Sequence, residues 1–199
     1  MKIRNGFVSN SSSSSFVVAF PMKPETFQEI HREMFGDVLY LSHPYEREAV
    51  SSFDMAQIVF EDIKRQEPND VTKIADQLQG IQYSGEHEFV GLLENSADES
   101  DKMKKLVEVE LKELEALDKS AMREYKTSSE REREERYAKH EGLRIAIGNK
   151  LAKIFMEKNQ PNNRYVYVFE YSDNDGFLYT MMEHGNIFYR LPHVIISHH

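Results

Sequence analysis

Four of the eight histidines stand at or beyond position 184: His184, His193, His198 and His199. Asp173, Asp175 and Glu183 are close to them in sequence. Imidazole nitrogens and carboxylate oxygens are the donor set for Zn, Mn or Fe, and two or three of them with a water make a hydrolytic centre. The candidate ligands of a divalent metal are therefore His184, His193, Asp173 and Asp175. Strand geometry limits the set, because alternate residues share a face. His193 and His199 would face one way and His198 the other, while His184 must enter from a loop. No His-Glu-x-x-His pattern occurs. "YSDNDG" would place Tyr171 and Met182 at the first and twelfth positions of a calcium loop, which that loop does not tolerate. The plainer alternative is a hairpin turn whose histidines cap or hydrogen-bond backbone.

A second candidate lies near the start, in "GFVSNSSSSSF". Small hydroxyl side chains let a ligand approach closely, and successive backbone N–H groups in a turn form an anion-binding nest. Arg4 adds positive charge just upstream. Arg4, Ser9, Asn10, Ser11, Ser12, Ser13, Ser14 and Ser15 are the candidate contacts for phosphate, carboxylate or a peptide backbone. The alternative is a polar arm in which serines serve as turn formers and caps. No Gly-x-Ser-x-Gly elbow marks any serine as a nucleophile.

The string "MKIRNGFVSNSSSSSFVV" resembles the opening of a group of uncharacterised bacterial and phage proteins that share a Lys-x-Arg-x-Gly-Phe-Val-Ser-Asn-Ser-Ser-Ser-Ser-Ser-Phe leader. The match covers residues 2–16, and "EYSDNDG…MEHGNIF…LPHVIISHH" is similar to some members. The resemblance implies that the leader is a built feature of the chain. It implies no catalytic residue, since the group has no established function.

These residues need a frame. Residues 16–20 form an unbroken apolar run stopped by Pro21, as expected of a buried strand. Phe27, Ile30 and Met34 share a helical face that ends at Gly36, with Pro24 in the first turn. Residues 38–41 suit a short strand. Helices are expected over 54–64 and from an Asn69 cap to Leu78, and 85–94 also reads as helical. Ser96 to Glu99 is a capping-box pattern, and an apolar stripe of Met103, Leu106, Val107, Leu114, Leu117, Ala121 and Tyr125 follows. A second capping box, Thr127 to Glu130, opens a highly charged helix that regains an apolar face at Leu143, Ala146, Ile147, Leu151 and Ile154. Its charges are expected to pair at i,i+4, as in Glu132–Arg136. Residues 165–171 are dense in aromatic and β-branched types, Asp175-Gly176 is a hairpin dipeptide, and 177–182 is expected to return as the paired strand. Pro192 precedes a last strand at 194–197.

The expected class is α+β. An antiparallel sheet forms from the N-terminal strand and the C-terminal hairpin and strand, with helices covering one face. Residues 1–95 and 160–199 make a single core, and 96–159 are inserted as a long helical hairpin. Both ends of the chain then enter one sheet, so the serine tract and the histidine cluster would share a rim.

Composition narrows the function. The chain has 199 residues, 30% of them charged, and a formal net charge of −9. Such a balance disfavours broad nucleic-acid or anionic-membrane binding. There is no cysteine, hence no disulfide framework, and no run long enough for a membrane span or a signal-peptide core. A cytoplasmic location is expected. The leading expectation is a binding or accessory protein that holds a protein partner or small anionic ligand at the sheet rim or on the helical hairpin, without turnover. The alternative is a metal-dependent hydrolase acting on a phosphoester through the C-terminal His/Asp cluster.

Overall fold

The computed structural model describes residues 13–78, 87–90, 105–124 and 127–197. Its centre is β1 (Ser13–Phe20), which pairs antiparallel with β5 (Tyr165–Ser172) on one side and β6 (His193–Ser197) on the other. A further strand, β4 (His87–Val90), pairs antiparallel with β6, giving the order β4-β6-β1-β5. Residues 87–90 are thus extended where a helix was expected, drawn into the ladder beside Val194.

The apolar run at 16–20 is continuous because β1 is buried on both faces. Phe16, Val18 and Phe20 join Tyr167, Phe169 and Tyr171 on one face. Against them lie α1 (Phe27–Phe35), α2 (Ser52–Lys64) and α6 (Phe177–His184). Val17 and Ala19 join Val166, Val194 and Ile196 on the other face. There they meet α3 (Val71–Leu78), α4 (Glu108–Glu124) and α5 (Glu130–Asn159). The α+β class holds, and helices cover both faces of the sheet instead of one.

The largest departure from expectation is at 177–182, which is helical and does not return as a strand. Ser172 Oγ accepts the Asn174 N–H, and a 3-10 turn at Asp173–Asp175 swings the chain out of the sheet. Gly176, at φ 114°, then reverses direction in a conformation open to glycine. Leu178, Met181 and Met182 recur at i, i+3 and i+4, and burying them against the aromatic face wins over the hairpin signal.

A small ribbon, β2 (Tyr40–Ser42) with β3 (Ala49–Ser51), stands beside α1 and α2. Ser52 fixes its base: the N–H donates to Leu39 O at 3.0 Å and the hydroxyl to Val38 O at 2.6 Å. At the other edge of the core, the Asn69 N–H donates to Val166 O at 2.7 Å, and the Gln66 side-chain amide donates to Val168 O at 3.1 Å. The Asn69 side-chain amide donates to Gln66 Oε1 at 3.2 Å, and the expected Asn69 cap is not the one that forms. Asp70 caps α3, with Oδ1 accepting from the Thr72 and Lys73 N–H groups.

The helical hairpin forms with shifted caps. The second capping box is Ser129 with Glu132, while Thr127 and Ser128 close the end of α4 on Glu124 O. The box expected at 96–99 lies outside the described residues. Val107, Leu114, Ile147, Leu151, Ala152 and Phe155 belong to the core cluster with Val17 and Ala19. The sheet-proximal half of the hairpin therefore covers the second face, and the outer half projects beyond it. Among the described residues, no helix is long and apolar enough to cross a membrane.

Candidate functional site

Asp173 and His184 come together, but not with the other residues of the expected metal set. They meet around Glu183, and one ligand atom from each of the three lies within 4.8 Å of the others. The Asp173 N–H donates to Glu183 Oε2 at 2.7 Å, and His184 Nε2 lies 3.5 Å from the same oxygen. The Glu183 carboxylate is fully buried. The helix at 177–184 explains the arrangement, since it folds its last turn back onto the 3-10 turn that starts at Asp173. Glu183 is the residue that strand reasoning passed over as a ligand; helical spacing of Leu178, Met181 and Met182 was the signal for it.

His193 belongs elsewhere. It pairs with Val18, whereas the chain leaves the sheet for Asp173 beside Ser13. Five strand positions separate these points, roughly 17 Å. His193 is fully buried against Phe188, its Nδ1–H donates to Leu191 O at 2.7 Å, and its Nε2 is buried without a partner. Burial pushes its pKa below the usual imidazole value, against the opposing pull of the Leu191 carbonyl. Asp175 is exposed in the turn, outside the cluster of three.

Arg4, Ser9, Asn10, Ser11 and Ser12 lie outside the described residues. Ser13, Ser14 and Ser15 are strand residues paired with Ser172, Tyr171 and Glu170, and Ser14 also pairs with Ser197. Ser14 and Ser15 are buried. The described end of the tract is thus a sheet element that sits between the exits of β5 and β6. Both ends of the chain do enter one sheet there.

The second site is a cleft of about 330 Å³ between α4 and α5, in the outer half of the hairpin. Leu117 and Ala121 contribute from α4, and Arg133, Arg136, Tyr137, His140 and Arg144 from α5. The four basic residues are spaced by three, four and four, so they form one helical stripe. Arg136 reaches across to Glu124 at 2.7 Å and not along its helix to Glu132, which is committed to the Ser129 cap. His140 lies 3.3 Å from Asp118, and Arg144 lies 3.3 Å from Glu141. Arg133 makes no ion pair among the described residues; its Nε donates to Ser129 O at 3.4 Å. The i,i+4 pair that does form in this stretch is Arg131 with Glu135, on exposed helix.

No family model matches this chain, and neither the curated proteins nor the solved structures contain a match to it.

Proposed function

We propose that this is a binding protein whose helical hairpin holds an anionic group of a partner, without turnover. One observation carries the reading. In a chain of net charge −9, Arg133, Arg136, His140 and Arg144 gather with Tyr137 on one stripe over an apolar floor. Guanidinium forks suit carboxylates, and the floor of Leu117 and Ala121 gives their apolar stems a surface to cover. Arg133 is the cation with the least internal commitment. A glutamate-rich peptide titrated into the full chain tests the reading. Binding should weaken as salt rises, and Arg133→Ala should weaken it further while leaving the fold intact. No binding at low salt, or equal binding by Arg133→Ala, would refute it.

The convergence of Asp173, Glu183 and His184 favours a second reading, a divalent-metal centre serving phosphoester hydrolysis. Two carboxylates and an imidazole suit Zn or Mn. A bound ion would lower the pKa of its water and polarise a phosphoryl oxygen. Calorimetric titration with Zn and Mn, comparing the parent chain with His184→Ala, tests it. Equal heats from both, or none, would eliminate this site.

A further inference from the structure

We propose that the outer face of the β2–β3 ribbon, with the start of α6, binds a lysine- or arginine-bearing peptide segment of a partner protein. This surface is separate from the hairpin cleft and opposite to it in charge.

The ribbon has an inner and an outer side. Val50 is buried in the core and Leu41 packs against it, so the alternate residues Tyr40 and Ser42 face outward, with Ala49 and Ser51 opposite them. Small side chains therefore surround Tyr40, which is 68% exposed. At the loop end of the ribbon Tyr45 is 67% exposed. Phe177 presents a third exposed ring.

Two of these rings are held in place before any partner arrives. His43 is buried, and its Nδ1 accepts from the N–H groups of Tyr45 and Glu46 at 3.3 and 3.1 Å. Its Nε2–H donates to Phe177 O at 3.2 Å. The imidazole stacks on Phe177 with ring centroids 4.3 Å apart and meets Tyr45 edge-on at 6.4 Å. Tyr45 also meets His184 edge-on at 5.2 Å. One buried histidine thus fixes the loop, the helix start and both rings, so binding need not spend free energy on ordering them.

Charge selects the occupant. Glu46, Glu48 and Asp175 are exposed beside these rings, and among the described residues none of them makes an ion pair. Arg47 is the one basic residue of the loop. Exposed aromatic faces rimmed by unpaired carboxylates favour a guanidinium or ammonium group, which lies over the ring while its charge faces the acids.

The test is a short peptide of alternating arginine and glycine, titrated into the full chain, with a leucine–glycine peptide of equal length as control. The arginine peptide should bind with an affinity that falls as salt rises. Tyr40→Ala and Tyr45→Ala keep the charge unchanged and should each weaken binding by about threefold or more. Arg133→Ala should bind the peptide as the parent does. If both tyrosine variants bind undiminished, the attraction is only that of the net charge and the proposal fails. Equal binding of the leucine peptide, or no binding of either, also overturns it. Should a tyrosine variant fail to fold, Glu46→Gln with Glu48→Gln should weaken binding while Glu130→Gln with Glu134→Gln, the same change of charge at exposed positions of the hairpin, should not; equal weakening by both pairs overturns the proposal.

Discussion

The Asp173 N–H donates to Glu183 Oε2 at 2.7 Å, joining residues ten apart across the 3-10 turn and α6. This bond gives a fully buried carboxylate a donor and seats the last turn of the helix over the end of β5. Glu183→Ala should leave that backbone N–H without its acceptor and cost about 1–3 kcal/mol. Glu183→Gln keeps an acceptor and should cost less. Urea unfolding of the three chains measures the difference, and an undiminished Glu183→Ala would mean that the bond holds nothing.

The hairpin should tolerate shortening from its tip and not from its base. Replacing 118–140 by a short linker removes the cleft and leaves Val107, Leu114, Ile147, Leu151 and Phe155 over the sheet. That chain should still unfold cooperatively. Replacing 97–159 uncovers Val17, Ala19, Val166, Val194 and Ile196, and the sheet should not survive. Near-UV dichroism and a thermal melt decide both cases. The point substitution Leu151→Ala, at a fully buried position, should cost about 2–5 kcal/mol.

Stability should rise with pH through the range just below 6.5, and His193 should be a cause. Burial lowers its folded pKa below the ordinary value of 6.5, so the folded state binds fewer protons than the unfolded state in that window. The contribution is fully present above the unfolded pKa and is lost as pH falls below it, by at most about 1.4 kcal/mol per pH unit. Denaturant unfolding at pH 7 and pH 5 gives the slope. His193→Leu, which removes the titrating group, should flatten it. An identical slope in that variant would assign the effect to other groups.

Tyr171 donates its hydroxyl to Asp62 Oδ2 at 3.1 Å across the aromatic face of the sheet. Desolvation raises the pKa of both groups, and the hydrogen bond from Tyr171 opposes the rise at Asp62. Tyr171→Phe should therefore raise the Asp62 pKa further and destabilise the fold by about 1 kcal/mol. Carboxyl-carbon NMR titration of Asp62 reads the first effect; a fall in its pKa would contradict this account.

Elements governed by one strong local signal were legible in the sequence. Residues 16–20 were legible as a buried strand, because an unbroken apolar run of that length has few other uses; the helices that cover its second face were not, since that cover comes from the base of the distant hairpin. The apolar spacing of Phe27, Ile30 and Met34 showed α1, and Thr26 with Glu29 supplies its capping box. Where two local signals competed, tertiary burial decided. Asp175-Gly176 spoke for a hairpin, yet Met181 and Met182 had a core to fill. At the metal candidate, spacing brought forward Asp173 and His184 but hid Glu183, since only a helix brings residue 183 back to 173. His193 looked like a ligand by composition and proved to be a core residue, a fact set by the register of β6 on β1. The basic stripe was hidden for a related reason: helix 130–141 has nearly balanced charges, and only the partner helix shows which of them face a cleft.

The two bonds that Gln66 and Asn69 make to the carbonyls of Val166 and Val168 bear on self-association. β5 is the terminal strand of the sheet on its side, and an uncovered terminal strand is a template onto which another copy adds. Here the link between α2 and α3 occupies two of its outward acceptors, and the Asn69 amide is itself tied to Gln66 Oε1 at 3.2 Å. A second molecule would have to strip this guard before it could extend the sheet. The aromatic density of β5, which on an open edge would invite fibre growth, is thereby kept for the interior of a single chain.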